Sequence, residues 1–119
     1  MLIMKKLLLA LVGILFMTGC VHSNYSLIVY NGTSGQIDRT AVFLENGRSF
    51  RFGILDPDVD AGIYPVKGPF GDAVTVKWVN AGGGENAAEA PLSCGFMDDS
   101  IIFLIHADHT VTVQTGRDL

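Results

Sequence analysis

Ser100–Thr115 reads SIIFLIHADHTVTVQT, and this stretch decides the fold class. Ser100 to Ala107 is apolar at successive positions, as expected of a strand covered on both faces. Thr110 to Thr115 alternates polar and apolar, the period of a half-buried strand. Asp108-His109 between them predicts a two-residue turn, which sets His106 opposite Val111, Leu104 opposite Val113 and Ile102 opposite Thr115. Val111 and Val113 then point inward with Ile102 and Leu104, while Thr110, Thr112 and Gln114 meet water. Asp-His suits such a turn less well than Asp-Gly, and a register differing by one residue exchanges the two faces.

The same period of two recurs along the chain. Tyr25–Tyr30 (YSLIVY) predicts a first strand inside a sheet, ended by the turn residues Asn31-Gly32-Thr33-Ser34-Gly35. Asn31-Gly32-Thr33 also fits a glycosylation acceptor pattern and is read here as a turn. Ile37 to Arg51 predicts a hairpin about Asn46-Gly47, with Phe43 opposite Phe50 and Ala41 opposite Phe52 on a core face, and Val42 and Leu44 on an exposed one. Gly53 to Gly62 reads as a bend carrying Asp56, Asp58 and Asp60. Ile63–Val66 is limited to a short edge strand by Pro65. Lys67–Asp72 is a loop, and Ala73–Asn80 (AVTVKWVN) is an alternating strand with Trp78 in the core. Ala81–Glu85 is a glycine-rich connection; no Lys-Ser/Thr follows it, so it is no phosphate cradle. Ala88 to Leu92 is a weak return strand confined to an edge by Pro91. Cys94 to Ser100 is a loop. Seven or eight short strands without a helical stretch predict an all-β domain, a small antiparallel β-sandwich. In architecture it resembles the immunoglobulin- and transthyretin-like class, without the cysteine pair of antibody domains. A partly closed barrel is the alternative.

The amino terminus has a different character. Lys5 and Lys6 precede the apolar run Leu7–Phe16 (LLLALVGILF), and Met17-Thr18-Gly19-Cys20 follows. The layout is that of a secretory signal, and its last four residues resemble the lipobox of bacterial lipoproteins, with Met17 where leucine is commonest. The run is shorter than the ~20 residues a membrane-spanning helix needs. An ordinary cleaved signal, with Cys20 near the cut by chance, is the competing reading. The resemblance implies a signal peptide over 1–19, a lipidated Cys20 as the first mature residue with a short tether over 20–24, and a sandwich domain over 25–119. It further implies a diacylglycerol on the Cys20 sulfur and an acyl chain on its amino group, and no other cofactor. Several acyl chains give stable attachment at ~0.8 kcal/mol per buried methylene. Val21, rather than Asp, after the cysteine favours sorting to the outer membrane, facing the periplasm, in a Gram-negative cell. At ~3.3–3.6 Å per residue the tether reaches about 18 Å, so the domain sits against its membrane.

Removing residues 1–19 leaves 100 residues, one domain's worth, with six basic against twelve acidic side chains and a net charge of −6. Such a body does not bind nucleic acid by counterion release. With Cys20 lipidated, Cys94 is left as a free thiol, buried and inert or paired between chains, and a disulfide-stapled fold is excluded.

Three groupings suggest chemistry. His106, Asp108 and His109 around one turn offer two imidazoles and a carboxylate to a divalent metal, against a polar turn cap as the plain reading. Asp56, Asp58 and Asp60 offer oxygen ligands to calcium, but Pro57, Ala61 and Lys67 break the helix–loop–helix pattern and a solvated turn is the plain reading. The serines Ser49, Ser93 and Ser100 lack a nucleophile elbow. The expectation is therefore a lipid-anchored cell-envelope protein that is not an enzyme, an adaptor or assembly module binding another envelope protein. Alternatives are an inhibitor or immunity protein against a wall-degrading enzyme, toxin or phage, and a metal or small-ligand module.

Overall fold

The computed structural model describes residues 24–95 and 98–116. They form eight strands: β1 (Tyr25–Gly32), β2 (Ile37–Leu44), β3 (Ser49–Leu55), β4 (Asp60–Val66), β5 (Ala73–Val79), β6 (Glu85–Pro91), β7 (Ser100–His106) and β8 (Val111–Gly116). They make two four-stranded sheets, ordered β4-β1-β7-β8 and β3-β2-β5-β6. The fold is an all-β sandwich rather than a barrel closed through one continuous ladder. All neighbours are antiparallel except β1 and β7, which run parallel from Ser26 opposite Ser100 to Gly32 opposite His106. The two most apolar strands thus occupy the centre of one sheet, but only one face of each is covered: Ile28 and Tyr30 of β1 and Ile102 and Leu104 of β7 are half-exposed on the outer face, which corrects the expectation of a strand covered on both faces. Pro65 and Pro91 fall on β4 and β6, both edges, as a residue without an N–H requires.

The core lies between the sheets: Leu27 and Val29 of β1, Val42 and Leu44 of β2, Val74, Val76 and Trp78 of β5, and Ile101, Phe103 and Ile105 of β7. Trp78 is buried as its alternation predicts. One end is plugged from a loop, where the fully buried Phe70 meets Tyr25 edge-on at 4.9 Å between ring centroids.

Both predicted hairpin registers are off by one, for the same reason. Leu44 N–H donates to the Arg48 carbonyl and Gly47 N–H to the Leu44 carbonyl; His106 N–H donates to the Thr110 carbonyl and His109 N–H to the His106 carbonyl. Each loop has three residues, a turn followed by one left-handed residue, Gly47 (φ 89°) or His109 (φ 66°). The extra residue shifts the pairing. Phe50 opposes Val42, not Phe43, and Ser49 opposes Phe43. Val42 and Leu44 are core residues, and Phe43 stands on the outer face, with the Lys77 ammonium 4.9 Å from its ring centroid. In the last hairpin Val111, Val113 and Thr115 oppose Ile105, Phe103 and Ile101. The two valines do pack on the core, but they take Ile101, Phe103 and Ile105 inward, leaving Ile102 and Leu104 half-exposed on the other face.

Candidate functional site

The registers sort the connections between the two ends of the sandwich. Gly32 lies beside His106, Tyr30 beside Asp60, Ile37 beside Leu55 and Asp38 beside Val79. Residues 33–36, 56–59, 80–84 and 107–110 therefore gather at one end. Tyr25 lies beside Val66, Ser26 beside Ser100 and Ala73 beside Pro91, so Asn24, the connection 67–72 and residues 92–95 and 98–99 belong to the opposite end. Every candidate ligand drawn from the sequence (Asp56, Asp58, Asp60, His106, Asp108, His109) and the glycine-rich connection fall at the first end. The chain enters at the second.

Asn31 organises the first end. Its side chain is fully buried; Nδ2 donates to the Leu55 carbonyl and the Gly35 carbonyl, each at 2.9 Å, and Oδ1 accepts from Thr33 N–H at 3.0 Å and pairs with the Thr33 hydroxyl at 2.6 Å. One amide thereby ties the end of β1, the 33–36 loop and the end of β3. The backbone of Asn31 continues the work: its N–H donates to the Val59 carbonyl and its carbonyl accepts from Asp58 N–H. An engaged, buried Nδ2 is no glycosylation acceptor, in keeping with the turn reading. Gly32 is needed for a second reason, since a Cβ there would stand 2.6 Å from the Ile105 carbonyl oxygen of β7.

The acidic bend is bonded into this frame. Tyr30 Oη donates to Asp58 Oδ1 at 2.9 Å, and Gln36 Nε2 donates to Asp56 Oδ1 at 2.7 Å. The hydrogen bond to Asp58 raises the Tyr30 phenol above its usual value of 10.0, with burial and the Asp58 and Asp60 charges acting the same way. Asp60 is the first residue of β4, so the three carboxylates span a turn and a strand start rather than one loop.

The histidine turn is likewise a capped hairpin. Asp108 Oδ1 accepts from the Thr110 hydroxyl at 2.6 Å and from Thr110 N–H at 3.2 Å. These bonds hold the Asp108 carboxyl below its usual 3.8, and the His106 charge adds to the effect. His106 Nε2 is 2.6 Å from the Thr112 hydroxyl on the outer face of its sheet, while His109 is exposed at the bend. Among the described residues no group of three or more His, Cys, Asp or Glu side chains converges on a metal position. Ser49, Ser93 and Ser100 lie toward the chain-entry end. Ser100 and His106 are six residues apart on one strand, roughly 20 Å at the rise of an extended chain.

Cys20 lies outside the described residues. Cys94 is half-buried against the core and is disulfide-bonded, which corrects its assignment as a free thiol. That assignment followed from giving the Cys20 sulfur to a lipid. The chain has two cysteines, and one sulfur cannot carry both a thioether and a disulfide.

Sequence reasoning missed Asn31 because it read Asn31-Gly32-Thr33 only as a turn. An Asn at a strand end, followed by a hydroxyl two residues on, is the local signal of a side-chain-bonded turn.

No protein-family model matches the chain, and no curated protein matches it. Among solved structures, it is similar to one described as the NMR structure of the protein from Eubacterium rectale, with a TM-score of 0.57 over 81% of this chain and 91% of that one, at 12% identity. At that identity the likeness is one of fold, the β-sandwich.

Proposed function

We propose that the protein is a lipid-anchored, non-catalytic module of the cell envelope that docks another envelope protein through the loop end organised by Asn31. The observation that carries this reading is Met17-Thr18-Gly19-Cys20 at the end of a positively led apolar run. Topology supports it. An anchor just before Asn24 enters at the end opposite the four candidate loops, and eight residues of β1 at ~3.3 Å each hold those loops roughly 26 Å from the entry point. The module stands on its membrane with those loops facing away. The loop end carries Asp56, Asp58, Asp60 and Asp108, so a partner with a basic surface is the complementary one. In a Gram-negative cell the place is the outer membrane, facing the periplasm. Crosslinking in cells, followed by detergent extraction and pull-down, tests the reading. Recovery of a partner that is lost on charge reversal at Asp56 and Asp58 supports it, and recovery of the protein alone with and without crosslinker contradicts it. Survival of a deletion strain challenged with basic wall-degrading enzymes separates an adaptor from an inhibitor, because only loss of an inhibitor sensitises the cell.

The disulfide at Cys94 favours a second reading, in which the signal is cleaved without lipidation and the same module is released. The two readings differ in mass. A lipidated chain uses Cys94 between chains and runs as a dimer without reductant, whereas an unlipidated one closes its bond within the chain and runs as a monomer.

A further inference from the structure

The four sheet edges are not alike. β4 carries Pro65 and β6 carries Pro91; β3 carries Arg51 and is kinked at Gly53 (φ 73°). Each is a device that keeps an exposed ladder from pairing with another chain. β8 reads VTVQTG, with no proline, no charge and no left-handed residue. His106 and Thr110 are a hydrogen-bonded pair, and in an antiparallel ladder such pairs recur every second residue. Thr112 and Gln114 therefore spend their backbone groups on β7, where they oppose Leu104 and Ile102. Val111, Val113 and Thr115 turn theirs toward the side on which no described strand pairs with β8.

We propose that β8 is a strand-addition site for the β8 of a second copy of this chain, paired antiparallel about Val113. The register is self-complementary. Val113 meets its own symmetry mate, Val111 meets Thr115 of the other copy, and Thr112 meets Gln114. Three hydrogen-bonded pairs exchange about six backbone bonds. The core-facing side of the new ladder is Val against Val and Val against Thr, and its outer side sets Thr112, whose hydroxyl bonds His106 Nε2, against the uncharged Gln114. The occupant follows from charge. The whole body is acidic, which opposes self-association generally, and the paired span of β8 carries no charged residue, so within that ladder two copies meet without opposing like charges. Closure is two-fold, so association stops at a dimer.

The test uses the whole mature chain, residues 20–119 with Cys20→Ser, under reductant so that no disulfide contributes. Sedimentation up to about 1 mM is expected to show a monomer–dimer equilibrium, with amide exchange at Val111, Val113 and Thr115 slowing as concentration rises. Two variants on the exposed face leave the core untouched. Thr112→Lys with Gln114→Lys puts like charges opposite each other and weakens the dimer by at least ~10-fold. Mixing it with Thr112→Glu, Gln114→Glu restores pairing as a heterodimer. A chain that stays monomeric throughout that range overturns the proposal. So does a dimer indifferent to both double variants, which would place the contact on another surface.

Discussion

Replacing Asn31 with Ala should cost this protein about 3 kcal/mol, and the figure follows from the bonds removed. The Leu55 carbonyl loses its buried donor and is left unsatisfied, worth ~1–3 kcal/mol, and Thr33 N–H loses its acceptor, worth ~1 kcal/mol. The Gly35 carbonyl is spared, because the Thr33 hydroxyl lies 2.9 Å away and, released from Asn31, donates to it fully. At ~4–8 °C per kcal/mol for a domain of this size the melting temperature should fall by roughly 12–24 °C. Asn31→Asp keeps the acceptor for Thr33 but turns a carboxylate toward the Leu55 carbonyl in a buried site, so it should cost at least as much. Thr33→Val, which removes only the hydroxyl, should cost about 1 kcal/mol. Urea unfolding followed by the fluorescence of the single, buried Trp78 reads all three. A loss below about 1 kcal/mol for Asn31→Ala, within the range of a single ordinary hydrogen bond, would refute the assignment of Asn31 as the tie between β1, β3 and the loop end.

Further outcomes follow from individual contacts. Trp78 Nε1 has no hydrogen-bond partner among the described residues, so Trp78→Phe should cost less than the ~3–5 kcal/mol of Trp78→Ala, because it removes an unpaired donor along with the volume; equal losses for the two would contradict this. His109→Gly should raise the unfolding free energy by about 1 kcal/mol through relief of left-handed strain, read as a higher urea midpoint, whereas a fall would mean that the imidazole contributes contacts of its own. Asp108 has a lowered folded-state pKa, so its contribution to stability is complete above the ordinary value of 3.8 and fades as pH falls through the folded value. Carboxyl NMR titration should show Asp108 ionising early, and Thr110→Val should return it toward 3.8. Tyr30 has a raised pKa, so the sign is opposite: its contribution is present below pH 10.0 and lost as pH rises through the folded value. Phenolate absorbance should show Asp58→Asn moving that titration down.

Much of the architecture was legible in the sequence, since alternation and proline placement identify strands and edges directly. Pro65 and Pro91 marked β4 and β6, and the doubly apolar Ser100–His106 marked a central strand. Register was harder, because it depends on a single residue of loop length. Asn46-Gly47 suits a two-residue turn, but the loop begins at Glu45, whose carboxylate accepts from Asp72 N–H at 2.6 Å while Asn46 reaches the Pro69 carbonyl. Those long-range bonds reward the three-residue form, and no local rule sees them. At Asp108-His109 the left-handed residue is a histidine instead of a glycine, which masks the same motif. The parallel neighbours β1 and β7 were not legible either, as they are separated by almost the whole domain in sequence. That pairing is what brings the histidine turn to the end carrying the aspartates. The candidate residues were named from the chain; their sharing one end, and Asn31 behind them, required the topology.

The anchoring of this module at Cys20 is the claim on which its proposed place and orientation rest. Intact mass spectrometry of the protein extracted from its own membranes, before and after reduction, tests it most directly. Anchoring predicts a chain beginning at Cys20 and carrying diacylglycerol with an added acyl chain. An unacylated chain whose Cys20 is released from Cys94 only by reductant would contradict it.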